Sequence, residues 1–199
     1  RREEMAEQGS DNISDDTPVD SLYKPPEQKS IAEILSADKE DESLELYKQK
    51  LLGSAPQDVI IDETDPRVVL LTNISLLVDN EAKISMDLTK ATVMDDIIFR
   101  IKEDAKYQLQ FNFYIQREIV TGMKYIHKVT KMGITVDKDE FMVGSYAPKN
   151  ELQSYSTPVE EAPSGMLHRG KYKVHSLITD DDKHEWLKWT WTLEIAKDW

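Results

Sequence analysis

The sequence YQLQFNFYIQ, residues 107–116, has an apolar side chain at every odd position and a polar or amphipathic one at every even position. Successive side chains of a β-strand point to opposite faces, so this period of two predicts a strand with one buried face. The same alternation returns in WLKWTWTLEI, residues 186–195, whose apolar positions include Trp189 and Trp191. Five apolar side chains per strand are more than a lone hairpin can cover, so the two strands predict two sheets packed face to face.

Other segments with strand character are separated by turn signals, and no helical segment of crossover length lies between them. They are residues 68–78, 83–88, 97–102, 124–131, 134–146 and 171–179. A set of roughly eight short strands predicts an all-β fold, an antiparallel β-sandwich of immunoglobulin-like type. We expect it to occupy residues 63–199.

Residues 1–62 differ in composition from the rest of the chain. They hold 16 of the 38 acidic side chains but only 7 of the 25 Lys and Arg residues, and large apolar groups are rare before residue 30. Helical spacing appears at about 31–37 and 42–52, with Ser30 and Glu33 in the form of a capping box. Helices this short are unstable alone, so we expect a flexible acidic arm that folds as a helical hairpin only against a partner.

The composition excludes several classes of function. The net charge of −13 disfavours nucleic acid and favours a basic partner. The chain has no cysteine, no apolar run long enough to span a membrane and no signal-like N-terminus, so we expect a cytoplasmic protein. The sequence contains no catalytic, cofactor or metal-ligand motif, and we therefore expect neither an enzyme nor a cofactor or metal.

Two constellations have competing interpretations. Trp189 and Trp191 share a face, as in some carbohydrate-binding platforms, but that face also carries leucine and isoleucine, which favours core or cavity lining. Asp180, Asp181 and Asp182 precede His184 and could suggest a cation site, although a solvated hairpin turn is the favoured interpretation.

A long connection before residue 171 carries carboxylates beside apolar groups, and such connections in compact sandwiches are usually functional. With this connection and the arm, the sequence resembles the Rho GDP-dissociation inhibitors. The segments that carry the resemblance are YKPP at 23–26, QKSI at 28–31, DESL at 41–44, YK at 47–48, LLG at 51–53, REIV at 117–120, GMKYI at 122–126, MVGSY at 142–146, TPVEEAP at 157–163, GML at 165–167, TDDDK at 179–183 and KDW at 197–199.

The resemblance implies a function. An immunoglobulin-like sandwich would take the geranylgeranyl group of a prenylated, mainly GDP-bound Rho-family GTPase between its sheets and extract the GTPase from membranes. The arm would fold over the switch regions of the GTPase and slow nucleotide release. The free inhibitor is expected to be monomeric.

The resemblance also assigns residues to three sites. The switch contacts are Asp41, Leu44, Tyr47, Leu51 and Leu52. The prenyl pocket is expected to use Leu76, Phe99, Tyr107, Ile119, Met123, Val174 and Trp191. The acidic patch that receives a basic C-terminal tail of the GTPase is expected to comprise Glu160, Glu161, Asp180, Asp181 and Asp182.

Two alternatives stay open at this point. Related sandwiches carry prenylated or acylated cargo without an arm, so the chain could be a general lipid-cargo carrier. A carbohydrate-binding module that uses Trp189 and Trp191 is the less favoured alternative, and it requires both rings to be exposed.

Overall fold

The computed structural model describes Ser43, Leu46 and residues 59–79, 81–88 and 98–198. Ser43 and Leu46 are helical, and both lie within the helix predicted at about 42–52. The rest of the predicted arm before Val59 is outside the described residues, and so are all five predicted switch contacts.

Within the described residues, ten strands form two five-stranded sheets. In chain order they are β1 (Val69–Val78), β2 (Glu81–Asp87), β3 (Ile98–Lys102), β4 (Lys106–Ile115), β5 (Val120–Lys131), β6 (Ile134–Tyr146), β7 (Lys149–Ser156), β8 (Glu160–Glu161), β9 (Gly170–Thr179) and β10 (Leu187–Ala196). Sheet A has the order β2-β1-β4-β7, with β8 also paired to β4, and sheet B has the order β3-β10-β9-β5-β6. Every pairing is antiparallel except that of β3 with β10, which is parallel.

The two alternating strands, β4 and β10, belong to opposite sheets. Phe111 of β4 and Trp189 of β10 are both buried, and their ring centroids lie 6.3 Å apart in an edge-on arrangement. Tyr125 of β5 lies between them in the same cluster, 4.6 Å from Phe111 and 6.0 Å from Trp189. This aromatic cluster joins the two sheets within the hydrophobic core.

The connection between β6 and β9 is more ordered than its sequence suggests. It contains β7, which pairs with β4, and the two-residue strand β8. Strand β7 is an edge strand whose first four residues are exposed, so its sequence KNELQSYS shows no apolar alternation at that end. The prediction of strands by apolar period therefore missed it.

Gln116 attaches the chain before β1 to the sandwich. Its amide oxygen accepts hydrogen bonds from the backbone N–H groups of Ile61 and Asp62, and its amide nitrogen donates to the carbonyl oxygens of Asp65 and Arg67. Residues 59–62, which we expected to belong to the arm, thus contact the folded unit. Within the described ranges, no helix is long and apolar enough to cross a membrane.

Candidate functional site: a cavity between the sheets

A cavity of about 410 Å³ lies between the two sheets, at the end of the sandwich where β4 begins and β10 ends. Inward-facing side chains of both sheets form its walls, and most of them are apolar. The lining comprises Tyr107 and Leu109 of β4; His127, Val129 and Lys131 of β5; Val136 and Asp137 of β6; Tyr172 and Val174 of β9; Trp191, Leu193 and Ile195 of β10; and Glu160, Pro163, Leu167 and His168 of the connection that precedes β9.

Hydrogen bonds fix the aromatic wall of the cavity. Trp191 donates its indole N–H to the hydroxyl of Ser176 at 3.0 Å, and the Tyr125 hydroxyl lies 3.0 Å from the same oxygen. Ser176 and Tyr125 are fully buried, and burial raises the pKa of Tyr125 above its usual value. The phenol therefore stays neutral, and the three groups hold the indole in one orientation.

Two polar side chains of the cavity, Tyr107 and Lys131, already have protein partners. The Tyr107 hydroxyl donates a 2.6 Å hydrogen bond to Glu160, and burial followed by the Glu160 charge raises the pKa of Tyr107. Lys131 donates to the carbonyl oxygens of Leu167 and Arg169 and to the Tyr172 hydroxyl. These contacts leave apolar carbon as the main surface that the cavity offers to a ligand.

The rim of the cavity is apolar and open to solvent. Leu167 and Val136 line the cavity although their side chains are 87% and 53% exposed, and the neighbouring Met166 is 82% exposed. Exposed apolar groups at a cavity mouth are typical of sites that accept an apolar ligand.

Glu103 anchors this rim. Its carboxylate accepts hydrogen bonds from the Gly165 N–H at 2.9 Å and from Arg169 at 2.9 and 2.6 Å. The hydrogen bond from Arg169, followed by that from Gly165, lowers the pKa of Glu103 below its usual value. The segment from Gly165 to Arg169 is thereby held across the end of β3.

The predicted pocket residues divide into two groups. Three of the seven line the cavity: Tyr107, Val174 and Trp191. Three others are buried in the core beyond it: Leu76, Phe99 and Met123. Phe99 contacts the wall from behind, with its ring centroid 5.1 Å from that of Trp191, while Ile119 is half-buried in the segment before β5.

The predicted acidic patch is also divided. Glu160 and Glu161 form β8 beside the first residues of β4, at the cavity end of the sandwich. Residues 180–182 follow the last residue of β9, whose ten residues span about 30 Å. The structure therefore does not bring the five residues into one surface.

The aspartates after β9 form the turn of the β9–β10 hairpin, as the favoured interpretation predicted. Asp180, however, is not solvated: it is 3% exposed and accepts hydrogen bonds from the backbone N–H and the ring Nδ1 of His184. It caps the turn. The indole rings of Trp189 and Trp191 are likewise buried, which removes the exposed platform that the carbohydrate hypothesis requires.

Sequence reasoning missed most of the cavity wall in sheet B. The missed residues include His127, Val129, Tyr172, Leu193 and Ile195. The inward phase of β5 and β9 was available as a signal, because residues two apart share a face and Val174 was already assigned. The alternation of a strand shows which side chains point inward. It does not show which of them border the cavity and which border packed atoms.

Comparisons with known proteins agree on one family. The sequence matches the family described as "RHO protein GDP dissociation inhibitor" over residues 6–198. It is 53% identical over 178 residues to a Caenorhabditis elegans protein named "Probable rho GDP-dissociation inhibitor", which covers 88% of this chain and 92% of that protein. It is 44% identical over 199 residues to human "Rho GDP-dissociation inhibitor 1", which covers 99% of this chain and 95% of the relative.

Among solved structures, a Niemann-Pick type C2 protein from Japanese carpenter ant can be superimposed on this chain. The match covers 69% of this chain and 99% of the ant protein. The TM-score is 0.38 and the sequence identity is 9%, so this likeness carries no argument.

Proposed function

The chain belongs to the family of RHO protein GDP dissociation inhibitors, and from this premise we propose that its cavity holds the prenyl group of a Rho-family GTPase. As a Rho GDP-dissociation inhibitor it is a regulatory binding protein of Rho-family GTPases and not an enzyme. The proposal concerns the lipid, the residues that contact it and the part taken by the arm.

The observation that carries the proposal is the cavity itself. Its volume of about 410 Å³ falls in the range of about 300 to 1,000 Å³ that is usual for ligand sites. Its walls are the inward faces of both sheets, and its rim carries exposed Leu167 and Val136. A prenyl chain would bury methylenes there at about 0.8 kcal/mol each.

We assign a role to each predicted pocket residue according to whether it lines the cavity or lies in the core beyond it. Tyr107, Val174 and Trp191 would contact the lipid directly. Phe99 would act through the Trp191 ring, and Leu76 and Met123 would support the surrounding core. A chain of about 20 carbons enters an apolar cavity in an extended form, so we expect it to run from the rim toward Trp191.

Charge at the mouth supports the second part of the proposal. Glu160 and Glu161 lie at the end of the sandwich where the cavity opens, so they are suited to a basic segment adjoining the prenyl group. The turn at residues 180–182 lies about 30 Å away along β9 and would meet a different part of the GTPase.

The arm completes the proposal. We assign residues 1–62 to a segment that folds on the GTPase, with Asp41 and Tyr47 as switch contacts and Leu44, Leu51 and Leu52 as apolar anchors. A segment that becomes ordered on binding can cover a large surface and slow nucleotide release. In the cell, the free protein would be a cytoplasmic monomer that extracts prenylated GTPase from membranes.

Filling the cavity tests the lipid proposal. Val174 is 2% exposed and pairs with Trp191 across the β9–β10 ladder, so Val174→Trp should occupy lipid space. If the indole displaces about four methylenes at about 0.8 kcal/mol each, prenylated GTPase should bind about 200-fold more weakly. Titration calorimetry with prenylated and unprenylated GTPase measures the difference, and the unprenylated form should bind as it does to the unchanged protein.

A second pair of variants tests the lipid proposal at exposed positions, where a larger side chain disturbs the core less than at Val174. Val136→Trp fills the exposed rim of the cavity, while Ile134→Trp adds the same ring to the same strand at an exposed position that does not line the cavity. Only Val136→Trp should weaken binding of the prenylated form. Equal losses for prenylated and unprenylated GTPase in folded variants would contradict the lipid proposal and leave family membership untouched.

A further inference from the structure

Three side chains that can bind a metal ion converge on the cavity wall: His127, Asp137 and Asp139. The β5–β6 ladder pairs His127 with Asp139 and Val129 with Asp137. Residues two apart on a strand share a face, so both carboxylates lie on the His127 side of the sheet. One ligand atom from each residue lies within 4.8 Å of the other two.

His127 lacks the partners that a buried imidazole needs. The residue is 5% exposed, and neither ring nitrogen has a hydrogen-bond partner within the described residues. Its Nε2 lies 3.8 Å from Asp139 Oδ2, which is too long for a hydrogen bond. A buried polar group without a partner is costly and indicates an unassigned ligand or water.

The surroundings of the ring fix its orientation. Tyr125 and Phe141 each lie 5.6 Å from the His127 ring, between centroids. These two rings pack against the imidazole, and its Nε2 is the nitrogen that lies 3.8 Å from Asp139 Oδ2. Preorganised ligands of this kind reduce the entropy that is lost when an ion binds.

The spacing and the atom types suit one class of ion. Two ligand atoms that are each about 2.1 Å from a tetrahedral ion are about 3.4 Å apart, so the 3.8 Å separation needs only a small adjustment. One imidazole nitrogen with two carboxylate oxygens favours Zn²⁺ and similar divalent transition metals over Ca²⁺ and Mg²⁺, which prefer oxygen alone. We propose that His127, Asp137 and Asp139 form a binding site for one divalent transition-metal ion.

The site is open on one side. The side chain of Asp139 is 50% exposed, so an ion can reach it from solvent and keep water as its remaining ligand. His127 and Asp137 also line the cavity, and a bound ion would neutralise charge on that wall. The metal site does not depend on what the cavity holds.

Protection of an exposed sheet edge is a competing explanation for the two aspartates. Inward-facing charges on an edge strand prevent it from pairing with another chain, and β6 is an edge strand. That role explains Asp137 and Asp139 but leaves both nitrogens of His127 without partners. The metal site accounts for all three residues.

Zinc binding by the full chain tests the proposal. Zn²⁺ alone is titrated into the metal-free protein in competition with a chromogenic chelator. The unchanged chain should bind one Zn²⁺ at this site, and Asp139→Asn should lower the affinity at least about tenfold. His127→Gln should do the same, and His184→Gln is the matched control because His184 bonds to Asp180 at the distant turn.

A second measurement identifies the ligand. In nitrogen-15 spectra of the histidine side chains, Zn²⁺ should shift the His127 ring nitrogens and leave those of His184 in place. Asp139→Asn retains the buried imidazole and changes a half-exposed side chain, so it keeps the test valid if His127→Gln fails to fold. Equal zinc affinity of the unchanged chain and Asp139→Asn, or unshifted His127 nitrogens, would overturn the proposal.

Discussion

Gln116 is the residue on which the start of the folded unit depends most. The alternation of residues 107–116 places it among the polar positions, and it follows the last residue of β4, yet it is 0% exposed because the segment before β1 covers it. Its single amide group satisfies two backbone donors and two backbone acceptors of that segment. A buried amide with all these partners specifies where the segment lies.

Gln116→Ala should lower the free energy of unfolding by about 2 to 3 kcal/mol, because it leaves partly buried backbone groups without partners. The control is Gln110→Ala in β4. The Gln110 side chain donates a 3.4 Å hydrogen bond to the Ser156 hydroxyl of β7, and its removal should lower the free energy of unfolding by less than about 0.5 kcal/mol. Urea denaturation measures both. A Gln116 variant within 0.5 kcal/mol of the unchanged protein would mean that the segment holds its position without this amide.

At the scale of an element, the rim of the cavity depends on one charged contact. The segment from Gly165 to Arg169 is joined to the sandwich through the Glu103 carboxylate. The pKa of Glu103 is lowered, so its ionised form is favoured in the folded state. The contribution of the contact is complete above the ordinary Glu pKa of 4.5 and is lost as pH falls through the lowered value.

The Gly165 amide proton should therefore shift with pH in nuclear magnetic resonance spectra, with a midpoint below 4.5. Glu103→Gln should abolish this titration, and Glu118→Gln, a carboxylate change elsewhere on the chain, should preserve it. A midpoint at or above 4.5 in the unchanged protein would show that Arg169 does not stabilise the ionised carboxylate.

For the whole molecule, we propose that the sandwich binds the lipid and that the arm contacts the GTPase. If the cavity takes a prenyl chain that is already buried in a bilayer, the transfer would be nearly balanced, and additional contacts would have to favour release from the membrane. We propose that the arm supplies such contacts through Tyr47 and slows nucleotide release.

Tyr47→Ala in the full chain should weaken binding of prenylated and unprenylated GTPase alike and restore GDP release toward its uninhibited rate. Gln49→Ala is the control, because it lies off the apolar face of the same predicted helix. Release of a fluorescent GDP analogue measures the effect. Undiminished inhibition by Tyr47→Ala would remove this residue from the proposed switch contacts.

Local sequence patterns are sufficient to predict the class of fold and the family. Strict alternation in residues 107–116 and 186–195 requires two half-buried strands, and their aromatic content requires an opposing sheet, so the sandwich follows from local chemistry. The motifs of the connection and the arm carried the family resemblance, which the comparisons confirm. Strand β7 escaped because an exposed edge strand needs no apolar period.

Which inward-facing side chains border open space depends on how the two sheets pack. Val174 and Leu76 are both inward-facing and buried, but only Val174 lines the cavity, because that depends on how far the opposite sheet lies from each position. In the same way, folding separated Glu161 from Asp181 and brought His127 beside Asp137 and Asp139. Strand direction and pairing register set these distances, and the alternation within one strand does not encode them.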